Sequence, residues 1–547
     1  MKQLYALMAL VTIVISANAQ STYQSVYNIL QTNCTGSCHT QANPYNLVLT
    51  GTPQQVYSAL VGTLPVNSAA AANGKLQVDP GNPRNSFLFA KLSHGLDANL
   101  SLLTGEGMAM PDSVTTMSQV DREMVRQWIL FGAQDTGHFV DSMTLVNFYI
   151  GQGGFPRQTP LAPPAPGTGQ QLYWGPVFVN SGVEIQYGNN TYIKNNTGID
   201  ISHFISQDNP EAHHFAIFKY YPGRDTLHPK GLVAENSISD VASLWYDAAV
   251  VAQYPKNMDM DFPTGTAIVW DSATVLQCTY HMINYTDSIL AAEGYLNVYY
   301  TPHQASTTPI NTAMVIYDYP YVQNLVIPNN GQDTTFRINQ FSPDSAFYWN
   351  VISILAHTHK LGTGYNVWTR NSAGQKDSLI YNGNYDPSYT YDQGVYTWND
   401  PPYRKIQPIM PIDMRKGMIH EATFMNNTPN TVTFGVHTTD EMFITFVMYY
   451  KSEFPTGIYE NTYVDENVKV YPNPISDEAF VKITSMPAVN NAEFQVFDIL
   501  GNLVYDNKNI SDILFRINLR NLANGSYTYR LLNGEKFIGT GKIVVQR

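Results

Sequence analysis

The feature that most constrains this chain is the segment from Cys34 to His39, which has the sequence Cys-Thr-Gly-Ser-Cys-His. Two cysteines a few residues apart, with a histidine directly behind the second, indicate a site for covalent attachment of a c-type haem. Three residues separate Cys34 from Cys38, where the usual motif has two. The thiols would bond the porphyrin edge, and the turn would place His39 under the ring as an axial iron ligand. A zinc site would need a second pair of ligands nearby, and none follows.

The first nineteen residues have the pattern of a secretory signal peptide. Lys2 supplies the positive end, an apolar run extends from Leu4 to Ile15, and Ala-Asn-Ala at 17–19 is a small-residue cleavage site. Export fits the haem motif, because c-type cytochromes are assembled outside the cytoplasm. We therefore expect a protein exported through the periplasm to the cell surface or the extracellular space.

Length and composition predict several domains rich in β-structure. The chain has 547 residues, and its charged fraction is only 13% with a net charge of −13. This balance excludes nucleic-acid partners, which need basic patches. The fold class is predicted as multi-domain and mainly β, with a small α-helical cytochrome c domain, two β-sandwich (jelly-roll-like) domains and a small C-terminal β-sandwich. The predicted parts are a signal peptide at 1–19, a haem domain at 20–137, a linker at 138–170, β domains at 171–305 and 306–457, and a C-terminal domain at 465–547.

The haem region carries the clearest helical pattern and a candidate second iron ligand. Apolar residues at three- and four-residue steps from Val120 to Phe131 predict an amphipathic helix, with Ser118 as its N-cap. The segment 105–111, Gly-Glu-Gly-Met-Ala-Met-Pro, resembles the distal ligand loop of single-haem cytochrome c domains fused to bacterial redox enzymes. In those domains the ligand methionine directly precedes a proline, which implies Met110. The alternative is His94 as ligand, with the methionines only lining the haem pocket.

Five histidines fall in three groups within the β-rich region. They are His213 with His214, the single His281, and His357 with His359. On a strand, residues two apart share a face, so His357 and His359 can reach one ion. His213 and His214 would point to opposite faces of a regular strand, so joint binding requires a bulge or different ring nitrogens. Imidazoles suit Zn, Cu, Fe and Ni alike, so the histidines leave the metal open.

The order of these groups resembles the copper type II, ascorbate-dependent monooxygenases, the family of peptidylglycine hydroxylating and dopamine β-monooxygenases. That family has a His-His pair, a lone His, a His-Thr-His segment followed by Leu-Gly, and a later Met ligand. Here the Met falls in Asp-Glu-Met at 440–442. The resemblance covers about half the chain and implies two copper ions. It assigns His213, His214 and His281 to an electron-transfer copper, and the catalytic residues His357, His359 and Met442 to the copper that binds O₂.

The departures from this family concern the substrate and the electron donor. Peptidylglycine hydroxylases anchor a substrate carboxylate at three positions, which here hold Leu355, Ile444 and Phe446. We therefore expect a small neutral or apolar organic substrate that is hydroxylated at a C–H bond by O₂. Ascorbate donates electrons in animals, whereas here the fused haem, itself reduced by an external donor, is expected to do so. The alternative is a cell-surface electron-transfer or copper-holding protein without oxygenase activity.

The end of the chain resembles the C-terminal sorting domain of the Bacteroidetes type IX secretion system. The matching motifs are Tyr-Pro-Asn-Pro at 471–474, Val-Phe-Asp at 496–498 with Gly501, Gly-Ser-Tyr at 525–527, and the terminal Gly-Lys-Ile-Val-Val at 541–545. The resemblance implies that the type IX secretion machinery is a partner. The alternative for this segment is a small carbohydrate-binding sandwich, although no aromatic cluster indicates a sugar platform.

Overall fold

The computed structural model describes residues 20–36, 38–40, 47–111, 117–150, 157–193, 195–254, 257–317, 324–384, 398, 403–453, 468–483, 489–498, 501–534 and 536–547. The predicted signal peptide lies outside these residues. The chain divides into two compact units, one of residues 1–406 with 410–455 and one of residues 407–409 with 456–547. Both units are mainly β, as the sequence predicts.

In the part of the chain that the structure describes, all α-helices except the last lie in the N-terminal part of the first unit. They are α1 (Thr22–Cys34), α2 (Pro53–Leu60), α3 (Ser68–Ala72), α4 (Phe87–Leu92), α5 (Gln119–Leu130), α6 (Ser142–Tyr149) and α7 (Ile238–Asp247). The predicted helix is α5, and its N-cap is confirmed because the Ser118 hydroxyl accepts a hydrogen bond from the Asp121 backbone N–H at 3.0 Å. Its apolar face, with Val125 and Trp128, is fully buried. Among the described residues, no helix is long and apolar enough to cross a membrane.

The described residues of the first unit then form twenty strands. They are β1 (Gly169–Val179), β2 (Glu184–Tyr192), β3 (Ile199–Asp208), β4 (Ala212–Tyr220), β5 (Leu232–Ala234), β6 (Ala248–Tyr254), β7 (Asp259–Asp261), β8 (Thr266–Trp270), β9 (Val275–Ile283), β10 (Leu290–Pro302), β11 (Thr308–Ile316), β12 (Val326–Ile327), β13 (Asp333–Gln340), β14 (Tyr348–His357), β15 (Gly362–Arg370), β16 (Lys376–Asn382), β17 (Tyr403–Asp413), β18 (Met418–Met425), β19 (Val432–Thr433) and β20 (Ile444–Ser452).

Two sheets of the first unit position the histidines. A nine-stranded sheet, the long sheet, has the order β1-β10-β3-β8-β11-β20-β14-β17, with β7 also paired to β3. A five-stranded antiparallel sheet, the histidine sheet, has the order β5-β2-β9-β4-β6. Its edge strand β6 packs on β11 and β20, where the Thr312 hydroxyl donates to the Val251 carbonyl at 2.5 Å. A four-stranded sheet, β13-β18-β15-β16, and the pair β12-β19 complete this unit.

The predicted boundary between the two β domains lies in the loop between β10 and β11, but hydrogen bonding continues across it. Strands β8 and β11 pair in parallel, with Thr308 opposite Thr266, so the long sheet contains strands from both predicted domains. The first β domain therefore meets the second through a shared sheet as well as through packed side chains.

The helical region belongs to the same compact unit as these sheets. The Gln127 amide donates to the Pro176 carbonyl at 2.7 Å, and Tyr192 donates to the Asp79 carboxylate at 2.9 Å. The range 138–170, predicted as a linker, contains α6, whose N-cap is Asp141 and whose Leu145 is buried in the core. Its Pro- and Gly-rich part, which prompted the linker prediction, begins only after this helix.

The second unit contains two small sheets. Its strands are β21 (Val468–Tyr471), β22 (Glu478–Ile483), β23 (Ala492–Phe497), β24 (Leu503–Ile510), β25 (Leu514–Asn518), β26 (Gly525–Asn533) and β27 (Lys536–Val545). They pair in the orders β21-β22-β25 and β24-β23-β26-β27 around an apolar core of their own that includes Val481, Phe494 and Leu531.

Candidate metal centre

The first two histidines are brought together by a bulge at the start of β4. In the pairing of β4 with β9, Ala212 lies opposite Met282 and His214 lies opposite His281, so His213 is an extra residue in its strand. A bulge of this kind re-aims a side chain that would otherwise face the opposite side of the sheet. Both rings are buried, and their centres are 5.0 Å apart. This is the bulge that joint binding was predicted to require.

The other two histidines come from the end of a strand in the long sheet. His357 is the last residue of β14, and His359 lies in the turn before β15. The expectation that both lie on one strand face is therefore wrong, because the strand ends between them. Their rings are nevertheless neighbours, with centres 5.2 Å apart. The turn, and not strand periodicity, brings these two imidazoles together.

The five imidazoles form one cluster, the histidine cluster, made of His213, His214, His281, His357 and His359. Each ring centre lies within 6.3 Å of at least three of the others. Ligand nitrogens of His213, His214 and His357 all lie within 4.8 Å of one another. This closest trio combines members of both predicted copper groups, so the two groups are adjacent in space.

Three imidazoles of the histidine cluster, His214, His357 and His359, are buried and have a ring nitrogen without a hydrogen-bond partner within the described ranges. Among the described residues, His214 Nδ1, His357 Nε2 and His359 Nε2 have no hydrogen-bond partner. Burial, together with the neighbouring histidines, lowers the pKa of His214 and of His357 well below the ordinary value. Burial likewise lowers the pKa of His359 to about 3. Buried polar nitrogens without partners are unfavourable, and a bound cation would satisfy them.

Two nitrogens of the cluster already have the separation expected of ligands on one ion. His281 Nδ1 lies 3.4 Å from His214 Nε2. Atoms at this distance can each bind a single metal at roughly 2.0–2.1 Å, the usual length of a metal–imidazole bond. The donor set therefore fits a transition-metal ion that accepts imidazole ligands.

Outer partners fix the orientation of three rings. His281 Nε2 lies 2.8 Å from a Glu184 carboxylate oxygen, His359 Nδ1 lies 3.2 Å from the Asp440 carbonyl, and His357 Nδ1 lies 3.4 Å from the Gln253 amide. Such partners hold one ring nitrogen and leave the other for a metal. Although burial raises the pKa of Glu184, hydrogen bonds from His281 and from Thr438 hold it at about 2.

The Glu441 carboxylate binds the backbone of both ligand-bearing segments of the second β region, the one with His359 and the one with Met442. Its carboxylate accepts hydrogen bonds from the backbone N–H groups of His359 at 2.9 Å, Leu361 at 2.6 Å and Met442 at 3.2 Å. Burial raises the pKa of Glu441 to about 8 despite these donors. Glu441 lies beside Met442 in the Asp-Glu-Met motif, and this position is the signal in the sequence that could have pointed to its role.

Met442 faces the cluster through a small cavity, the histidine cavity, of about 40 Å³. His214, His357 and Met442 line it together. Most of its remaining wall is apolar and includes Ala216, Phe218, Val241, Leu244, Trp245, Met314, Ile444 and Phe446. Peptidylglycine hydroxylases anchor the substrate carboxylate at three positions. Two of these positions, Ile444 and Phe446 in this chain, lie in the apolar wall.

The haem motif lies at the end of α1. Cys34 is the last residue of this helix and is half-buried, whereas Cys38 is exposed and Ser37 lies outside the described residues. Burial raises the pKa of the Cys34 thiol to about 11, and Cys38 adds to this effect. His39 is buried, and its Nδ1 lies 3.1 Å from the Leu47 carbonyl.

The candidate distal ligands differ in exposure. Met108 is 78% exposed, whereas Met110 is half-buried and its backbone N–H donates to the Lys91 carbonyl at 2.8 Å. His94, the alternative ligand, has its Nε2 2.8 Å from the Met110 carbonyl. Met110 stays the predicted ligand, with His94 as the alternative.

The second unit has a recognisable family. Residues 469–546 match the secretion system C-terminal sorting domain. The tail is a sorting domain. It indicates export to the cell surface or the extracellular space and implies an interaction with the type IX secretion machinery. No curated protein matches the chain.

Solved structures give only weak similarity. A β-glucuronidase from Ruminococcus gnavus is 12% identical over 40% of this chain and 36% of that chain, with a TM-score of 0.14. A β-glucuronidase from Faecalibacterium prausnitzii is 12% identical over 45% and 48%, with a TM-score of 0.16. A β-1,2-glucanase from Parabacteroides distasonis is 9% identical over 44% and 36%, with a TM-score of 0.14. The chain spans less than half of each, and scores this low carry no argument about fold or function.

Proposed function

We propose that this exported protein is a copper-dependent monooxygenase that hydroxylates a C–H bond of a small neutral or apolar substrate with O₂. The observation that carries the proposal is the histidine cluster itself, in which buried, neutral imidazoles with unpartnered nitrogens share a cavity with a thioether. Imidazole with thioether sulfur favours copper over zinc, because soft sulfur stabilises Cu(I). The likeness of the ligand order to the copper type II family supports the same metal.

In this proposal His213, His214 and His281 hold one copper ion, and His357, His359 and Met442 hold a second. When bound, copper supplies the electron transfer and oxygen reduction that protein side chains lack. The five rings lie within one cluster, so the residues that would hold the two ions are neighbours. This assignment implies that the first unit contains the two β-sandwich domains of the copper type II family.

The chain's own residues have three tasks in the reaction. Glu184, the Asp440 carbonyl and Gln253 orient the imidazoles, so the ligand nitrogens need little rearrangement. The apolar wall with Ile444 and Phe446 accommodates an uncharged substrate and excludes bulk water. At about 40 Å³ the histidine cavity holds only a few waters, so an organic substrate requires side chains of this wall to move.

The c-type haem is the proposed electron donor to the cluster. His39 with its Nδ1 held by the Leu47 carbonyl, and the two neighbouring thiols, fit covalent haem attachment. The helical region packs in the same unit as the histidine sheet, which keeps donor and acceptor within one body. An external donor would reduce the haem.

The test combines metal analysis with one substitution and a matched control. Elemental analysis of the full exported chain should find two copper ions and little zinc. Met442→Leu keeps the side-chain volume but removes the sulfur, so it should lower copper content and abolish oxygen-dependent product formation. Met448→Leu makes the same change at a buried methionine outside the histidine cavity, and it should retain both copper ions.

Two outcomes would contradict the proposal. Zinc in the cluster, or full activity of Met442→Leu, would remove the copper oxygenase assignment. Tightly bound copper and a reducible haem without any hydroxylated product would leave the electron-transfer or copper-holding function in its place.

A further inference from the structure

A second cavity, the outer cavity, lies beside the histidine cavity on the histidine sheet. It has a volume of about 380 Å³ and is lined by Tyr220, His228, Asp240 and Asp247 among others. It opens to solvent, since wall residues such as Asp240 are exposed. Among the described residues, Glu235 is the one that lines both this cavity and the histidine cavity.

The Glu235 carboxylate is held in place by residues of two strands. It accepts hydrogen bonds from the amides of Gln277 at 2.6 Å and Gln186 at 3.0 Å, and from the Thr279 hydroxyl at 3.3 Å. Only 3% of Glu235 is exposed. Gly188 makes the room for Glu235 and Gln277 together, because a Cβ there would lie 2.1 Å from the Gln277 amide nitrogen and 2.4 Å from a Glu235 carboxylate oxygen.

These partners form a polar row that leads to the metal ligands. Gln277, Thr279 and His281 alternate along β9 and so share one face of the strand. Gln277 lines the outer cavity, Thr279 lines the histidine cavity, and His281 belongs to the histidine cluster. Gln186 lies directly opposite His281 in the pairing of β2 with β9. The row therefore runs from solvent to the cluster, with Glu235 between its ends.

The charge environment suits a group that exchanges protons near neutral pH. Burial raises the pKa of Glu235 to about 7, the hydrogen bonds from Gln186 and Thr279 oppose this rise, and the Asp240 carboxylate adds to it. Tyr220 faces it from β4 across the outer cavity, and the cluster imidazoles face it across the histidine cavity. A carboxyl with a pKa near the working pH can both release and recover a proton.

We propose that Glu235 relays protons from solvent in the outer cavity to the oxygen-reducing centre in the histidine cavity. The inference rests on the proposed function. Hydroxylation of a C–H bond by O₂ puts one oxygen atom in the product and one in water, and it consumes two electrons and two protons. The two electrons pass one at a time through the c-type haem, which an external one-electron reductant reduces twice per turnover. The Glu235 carboxyl breaks its O–H bond to give a proton inward, and the carboxylate then forms a new O–H bond with a proton from outer-cavity water. Two such passages complete one turnover and leave Glu235 unchanged.

The experiment uses the full exported chain loaded with copper and with its haem reduced. Glu235→Gln removes the acidic proton and keeps the shape, while one carboxylate oxygen that accepts hydrogen bonds becomes an amide donor. We expect turnover to fall on the order of 10²-fold, with copper content and haem reduction unchanged, since general acids contribute roughly that much. Asp271→Asn is the matched control, because it makes the same carboxylate-to-amide change at an exposed ion pair with Lys219 outside both cavities, and it should stay close to the parent.

A second readout does not depend on turnover. Infrared difference spectra across neutral pH should show a buried carboxyl band that shifts in D₂O and is absent from Glu235→Gln. If Glu235→Gln does not fold, Glu235→Asp tests the relay instead. The ordinary pKa of Asp is lower than that of Glu, so the pH profile of turnover should move to lower pH.

An unchanged rate in Glu235→Gln, an unchanged pH profile in Glu235→Asp, or a carboxyl band that does not exchange would each overturn the relay. If the parent itself forms no product, the proposed function fails and the relay fails with it. That failure is recognisable because it appears in the parent and not only in the variants.

Discussion

The buried carboxyl of Glu235 should leave a signature in the pH dependence of stability. Its pKa is about 7 in the folded protein, against 4.5 for the ordinary glutamate. The folded state therefore binds this proton more tightly than the unfolded state does. The stabilisation from protonated Glu235 is fully present below pH 4.5 and is lost as the pH rises through 7.

The magnitude follows from the same two pKa values. A difference of this size corresponds to about 3 kcal/mol in the free energy of unfolding. Glu235→Gln has no proton to lose, so its stability lacks this component. Relative to the parent, the variant should gain about 3 kcal/mol between pH 4.5 and a pH well above 7. Burial also raises the pKa of Glu441, but both proteins share that contribution and it cancels in the difference.

Denaturant unfolding of chelator-treated parent and variant across this pH range measures the difference. Removal of metals keeps copper binding from adding its own pH dependence. Parallel stability curves for the two proteins would show that Glu235 has the same proton affinity folded and unfolded. That result would refute the buried, proton-holding state on which the relay depends.

The remaining predictions concern the supports of the centre and the two ends of the chain. Gly188→Ala should displace the Glu235 carboxylate and reproduce the turnover defect with copper content unchanged, as measured by parallel assays and elemental analysis. Glu441→Gln replaces one carboxylate acceptor by an amide donor, so copper affinity should fall about 10- to 100-fold in a chelator competition, and unchanged affinity would deny it a positioning role. Cys34→Ala with Cys38→Ala should abolish the haem absorbance that survives denaturation but should leave copper content intact. Removal of the sorting domain should trap a haem-loaded protein in the periplasm, and its appearance at the cell surface would contradict the export route.

Local features of the fold could be predicted from the sequence, because they depend on neighbouring residues. The helix α5 and its Ser118 cap follow from apolar periodicity and a single hydroxyl. The need for a bulge at His213 follows from the alternation of side chains along a strand, and the structure has that bulge. The assignment of 138–170 as a linker missed α6, because the Pro- and Gly-rich residues after it dominated the composition of that range.

The convergence of the histidines could not be predicted from spacing alone. It depends on the packing of β6 against β11 and β20, which brings the end of β14 beside β4 and β9. Strand periodicity also gave the wrong reason for the proximity of His357 and His359, since the strand ends at His357. Glu235 and Glu184 were missed because their roles come from partners far away in sequence.

The parallel pairing of β8 with β11 has a consequence for the order in which the molecule is completed. Parallel strand pairs and other long-range contacts form slowly. Closing the long loop between their partners costs chain entropy before the contacts can stabilise the fold. The histidine cluster joins residues from 213 to 359, on both sides of that pairing, so its full ligand set exists only after the first unit has closed. An ion that arrives earlier would meet only part of the set. Since the chain is exported, the copper of the proposed function would have to be taken up outside the cytoplasm, once the full ligand set has formed.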